Sequence, residues 1–168
     1  ERLRAALPNH TYVLTDRAAV ALAKGAPTLT PVSLEATDGS GVLRMSGTIP
    51  DEQPGRLAVE TFGLDLQDLY SLIGRDTLGV AGELGLTLQV AGTARAPTFR
   101  GTGRVDQARF GDFRAPFLQV VLNYQNQRLD ANLDLWRTGE NILTVEAHLP
   151  MDLALRGVER RRLDGPLT

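Results

Sequence analysis

The stretch FLQVVLNYQNQRLDANLDLWRTGENILTVEAHL, residues 117–149, decides how this chain folds. Apolar side chains recur at every second position on both sides of Asn126-Gln127, the spacing of a strand with one dry and one wet face. Hairpin register must set apolar residues opposite apolar residues on one face. With Asn126-Gln127 as a two-residue turn, Leu118 faces Leu135, Val120 faces Leu133, Leu122 faces Ala131 and Tyr124 faces Leu129. A three-residue loop, Thr138-Gly139-Glu140, its glycine free to take positive φ, then pairs Leu135 with Leu143, Leu133 with Val145, Ala131 with Ala147 and Leu129 with Leu149. The opposite face carries Asp130, Asn132, Asp134, Thr144, Glu146 and His148, interrupted at one end by Phe117, Trp136 and Ile142.

The same alternation runs outward from this core. Val32, Leu34 and Ala36 precede the turn Asp38-Gly39-Ser40-Gly41, and Leu43, Met45 and Ile49 follow it; Leu84, Leu86, Leu88 and Val90 form the most regular strand. Asp16 to Lys24 reads as a further strand through Ala19, Ala21 and Ala23. Only one segment has helical spacing: Leu64, Leu66, Leu69, Tyr70, Leu72 and Ile73, with Asp65 and Asp68 early and Gly74 at the end. The expected fold is therefore all-β: an elongated antiparallel trough, or β-taco, of about ten strands with one apolar concave face and one short helix. Ten strands at ~4.8 Å each extend ~48 Å, a width that favours curling over a flat sheet.

Composition narrows the function. The chain has 168 residues, 42% hydrophobic and 23% charged, with a net charge of −2 from 18 basic and 20 acidic residues. Charge this balanced offers no general attraction to polyphosphate, so nucleic acid is not expected as a partner. Cysteine is absent, which removes disulfides, thiolate nucleophiles and cysteine-held zinc. No apolar run reaches the ~20 residues of a membrane helix, and no signal-peptide pattern opens the chain. Both ends read as interior to a longer protein: a single stretch of repetitive sheet over 1–168, with approximate units 1–63 and 64–155 and the start of another at 156–168.

Catalytic patterns are missing. His10 has no neighbouring ligand in the sequence, and His148 falls opposite Asp130 on the polar face, the position of a surface pair. Gly101-Thr102-Gly103-Arg104 lacks a third glycine and a following helix, so its glycines are read as relief for strand curvature or close backbone approach. Asp106, Asp112, Asp130 and Asp134 are scattered over strand faces and turns. The cluster Arg156, Arg160, Arg161 and Arg162 reads as a solvated linker. An enzyme is not expected, nor a cofactor, metal or small-molecule substrate. Closure into a two-sheet domain with a dry core is a competing architecture. A transmembrane barrel is disfavoured by only nine aromatic residues, five Phe, three Tyr and one Trp, with no girdles at strand ends.

The order of several loose motifs carries a resemblance. The acidic helix Leu64-Asp65-Leu66-Gln67-Asp68-Leu69 precedes Gly79-Val80-Ala81-Gly82-Glu83-Leu84, then Val90-Ala91-Gly92-Thr93-Ala94-Arg95-Ala96-Pro97, then Gly101-Thr102-Gly103-Arg104-Val105, and a meander closes on Leu149-Pro150. From about residue 30 onward this resembles the repeat region of TamB-like proteins (translocation and assembly modules), relatives of the AsmA-like group. The resemblance implies a non-catalytic periplasmic bridge anchored to the inner membrane through a segment outside this stretch. Its hydrophobic groove would conduct phospholipid between the inner and outer membranes, support outer-membrane protein assembly, or both, with an outer-membrane barrel partner met by the full-length protein. The lining expected to meet acyl chains is Leu84, Leu86, Leu88, Val90, Leu118, Val120, Leu122, Tyr124, Leu129, Leu133, Leu135, Leu143, Val145 and Leu149. The alternative is a chaperone-like scaffold that binds nascent outer-membrane or secreted polypeptide by β-augmentation.

Overall fold

A computed structural model describes residues 4–15, 20–23, 26–72, 79–155 and 157–158. The strands are β1 (Arg4–Ala6), β2 (Thr11–Leu14), β3 (Val20–Ala23), β4 (Ala26–Ala36), β5 (Val42–Thr48), β6 (Gly55–Asp65), β7 (Val80–Gly92), β8 (Pro97–Phe110), β9 (Phe113–Gln125), β10 (Arg128–Arg137) and β11 (Glu140–Pro150). The helix α1 (Leu66–Leu72) lies between β6 and β7. All the strands belong to one antiparallel sheet in the order β1-β2-β4-β5-β6-β7-β8-β9-β10-β11, and β3 shares the outer edge of β4 with β2. From β4 onward each strand pairs with its sequence neighbours, and the sheet stays open, which excludes the closed two-sheet alternative.

The expected pairings of 117–149 all occur: Leu118 with Leu135, Val120 with Leu133, Leu133 with Val145 and Leu129 with Leu149 among them. Asn126 and Gln127 both take positive φ, 51° and 59°, the backbone of a tight turn whose twist matches the flanking strands. The second connection differs from expectation. Arg137 pairs with Glu140 across a two-residue turn at Thr138 and Gly139, and a bulge places the extra residue, Ile142, between the pairs Trp136–Asn141 and Leu135–Leu143. Loop length and bulge compensate, so the core register is unchanged.

Three other segments refine the reading. Leu64 and Asp65 belong to the end of β6 rather than to the helix, and Asp65 caps α1 by accepting the N–H groups of Gln67 (2.6 Å) and Asp68 (3.2 Å). The anticipated strand within 16–24 is present as β3; positions 16–19 and 24, with Ile73, Gly74, Arg156 and residues 159–168, lie outside the described residues. Finally, β6 bulges at Gly63, whose φ of +61° suits glycine. The bulge turns Leu64 onto the same face as Leu57, Val59 and Thr61, although their numbers differ in parity.

Candidate functional site

Register across the sheet gathers the apolar side chains into four parallel rows that run from strand to strand. One row is Leu143, Leu135, Leu118, Val105, Leu84 and Leu64. The next is Val145, Leu133, Val120, Gly103, Leu86 and Thr61, and the third is Ala147, Ala131, Leu122, Gly101, Leu88 and Val59. Leu149, Leu129, Tyr124, Phe99, Val90 and Leu57 make the fourth. All fourteen expected lining residues therefore share one face.

Inward of β11 the outer rows are covered by the protein itself. Helix α1 lays Leu66, Leu69 and Tyr70 over the first row, where Val105, Leu118 and Leu135 are buried. At the opposite end the chain leaves β11 and crosses the fourth row as a strap over residues 151–155. The Met151 N–H donates to the Gln127 carbonyl (2.9 Å), the Leu153 N–H to the Tyr124 hydroxyl oxygen (2.9 Å) and the Leu155 N–H to the Ala94 carbonyl (2.7 Å). Tyr124, Val90 and Ala154 are buried there, and the Tyr124 ring packs on Phe99 at 5.1 Å between centroids.

Between helix and strap the two inner rows stay open. Leu86, Leu88, Val120, Leu122, Ala131 and Leu133 are half-buried, a sign of curvature toward this face, because their polar-face neighbours Thr87, Gln89, Thr102 and Gln119 are exposed. On β11 the lining is open to solvent: Leu143 is 50% and Val145 43% exposed. The two glycines form the floor. A Cβ on Gly103 would stand 2.9 Å from Val120 Cγ1, and one on Gly101 would stand 3.0 Å from Leu88 Cδ1, so the neighbouring side chains lean across the space that glycine leaves. Each row occupies about 6.6 Å along the strands, which makes the open region a slot two side chains wide.

The polar face holds surface ion pairs. Asp130 accepts from His148 Nδ1 (2.5 Å), as their opposed positions lead one to expect, and also from Arg128 Nε (2.7 Å) on its own strand. Arg128 first, and then His148, hold its carboxyl below the usual range. Arg104 pairs with Asp106 (2.7 Å) and lies 3.9 Å over the Phe117 ring, which stacks in turn on Trp136. Among the described residues no three His, Asp or Glu side chains converge as a metal site. No family model, curated protein or solved structure matches this chain. The function must therefore be argued from the slot itself.

One constellation was invisible in the sequence. Asp68, wholly buried on α1, accepts the Asn9 backbone N–H (2.8 Å) and His10 Nδ1–H (2.8 Å), and the Asn9 side chain donates to Gln67 (2.9 Å). These contacts fasten the helix to the turn between β1 and β2, 58 to 59 residues away in sequence. His10 Nε2 lies 3.7 Å from Asp38 in the turn after β4, and the Tyr12 ring meets the imidazole edge-on. The hydrogen bond to Asp68 raises the His10 pKa above 6.5; burial opposes this, and the charges of Asp68, Asp38 and Asp65 add to it.

A raised folded-state value means that the pair contributes fully below the unfolded pKa and that its contribution is lost as pH rises through the folded one. The stability advantage of wild type over His10→Gln should therefore be full below the ordinary imidazole range and shrink as pH rises through the raised folded-state value. Urea titrations across that window check it, and a constant difference would remove His10 from the pH response.

Proposed function

We propose that this chain is a non-catalytic segment of a lipid-conducting scaffold, as the TamB-like resemblance implies, working in the periplasm between two membranes. The observation that carries the reading is the slot: two rows without a polar side chain from β11 to β7, bordered by α1 and by the strap and covered by no second sheet among the described residues. Leaving such a strip in water is unfavourable by about 25 cal/mol per Å² of apolar surface. A hydrocarbon chain lying across the strands would remove that cost. The inner rows carry no charged side chain on β7 to β11, so acyl chains would meet no fixed polar anchor. Weak, repeated contact of this kind suits passage better than retention. The slot's two-row width fits the paired chains of one diacyl lipid.

A second reading rests on the outer edge of β11, which pairs only with β10 among the described residues and exposes Ile142, Leu143 and Val145. A free edge of that length can receive an added strand, the geometry needed for nascent outer-membrane polypeptide. The two readings predict different losses.

Lipid extraction and native mass spectrometry on the chain purified from bacterial periplasm without detergent separate them. Wild type should carry phospholipid, and Leu86→Glu/Val120→Glu/Leu133→Glu should lose it while keeping the β-sheet circular dichroism signal. A lipid-free wild type would end the conduction reading. Peptide binding that survives the triple substitution would favour the edge.

A further inference from the structure

On the polar face, behind the slot, β5 to β9 enclose a second hollow of about 680 Å³. Twist makes a sheet saddle-shaped, so hollows can form on both of its faces. Ser46, Ala58, Ala91 and Asn123 make a half-buried floor, and Arg56 and Arg100 stand exposed around it. Among the described residues no carboxylate lines this space. Arg104 and Arg128 elsewhere on the face each hold an aspartate, whereas Arg56 and Arg100 have no acidic partner among the described residues. Guanidinium groups set over neutral amides and hydroxyls are free to receive an anion through charge-assisted, bidentate hydrogen bonds.

Size and spacing narrow the ligand further. The hollow falls in the range of small-molecule sites. Arg56 is on β6, level with Thr98 of β8 across Ala91, and Arg100 lies two residues further along β8. Two strand spacings and two residues of rise separate their Cα atoms by about 12 Å, more than a single inorganic ion bridges with ease. Amides and hydroxyls of Asn123, Gln89 and Ser46 offer both donors and acceptors, which is the pattern that sugar hydroxyls require, and Ala58 and Ala91 give the flat apolar floor that a sugar ring's C–H face can cover.

We propose that this hollow binds an acidic oligosaccharide, a hydroxyl-rich chain carrying carboxylate or phosphate groups, with Arg56 and Arg100 gripping the anionic groups. This site is independent of the slot and needs no lipid. The probe is tri-galacturonate, titrated calorimetrically into the chain at low salt, with maltotriose and inorganic phosphate run in parallel. Wild type should bind tri-galacturonate and not maltotriose, and Arg56→Gln/Arg100→Gln should weaken binding about tenfold or more with an unchanged unfolding midpoint, because both arginines are exposed. The Leu86→Glu/Val120→Glu/Leu133→Glu variant should still bind. Absence of binding, equal binding of maltotriose, equal binding of phosphate, or a double variant that binds like wild type would each overturn the proposal.

Discussion

Asp68→Ala should lower the free energy of unfolding by about 3 kcal/mol, the low end of what breaking a buried charged pair costs. The low end applies because His10 keeps 19% of its side chain exposed and regains water when its partner is lost. Asp68 itself is 0% exposed, and its removal also strands the Asn9 N–H, for which Asp68 is the acceptor. Asp68→Asn retains one acceptor oxygen and should fall between wild type and alanine. Domains of this size are stable by only about 5–15 kcal/mol, so urea midpoints will resolve the series. A loss below about 1 kcal/mol would mean that α1 is held by its apolar side chains alone. Because α1 covers the first row of the apolar face, the variant should also increase binding of a hydrophobic dye there.

Tyr124→Ala is expected to cost about 3 kcal/mol, in the range for truncating a buried aromatic side chain. Its ring fills the strap end of the trough, 2% exposed and packed on Phe99, and the alanine would leave a void that the surrounding strands fill only in part. The hydroxyl has a separate task, since it accepts the Leu153 N–H. Tyr124→Phe therefore isolates the strap, at about 1 kcal/mol. Hydrogen exchange reads this directly: in Tyr124→Phe the Leu153 amide should lose protection while amides of β9 and β10 keep theirs. Equal protection of Leu153 in both proteins would show that the strap is held by the Met151 and Leu155 bonds without Tyr124.

Both residues were visible in the sequence, but for different reasons and to different depths. Tyr124 stood out as a lining residue because it alternates with Leu118, Val120 and Leu122; that residues 151–155 would cross over it was not legible. Asp68 read only as an acidic residue in the first turn of a helix. Its partner His10 carried no signal at all, since no spacing rule links positions 58 residues apart. The same holds for Arg56 and Arg100, which look like ordinary strand-face arginines until three strands bring them to one hollow.

What the sequence determined by itself is the sheet. Alternation with period two, turn residues able to take positive φ, and the demand that apolar residues face one another are all local rules. They act within one hairpin, and they suffice to set strands, register and the dry face from residue 117 to 149. Tertiary structure alone decided which part of that face stays open. Bulges at Gly63 and Ile142 redirect side chains without altering the overall pattern, and the landing of α1 and of residues 151–155 depends on contacts between distant segments. Curvature, too, belongs to the assembled sheet: each strand contributes a small twist, and only their sum across ten neighbours turns an amphipathic surface into a trough.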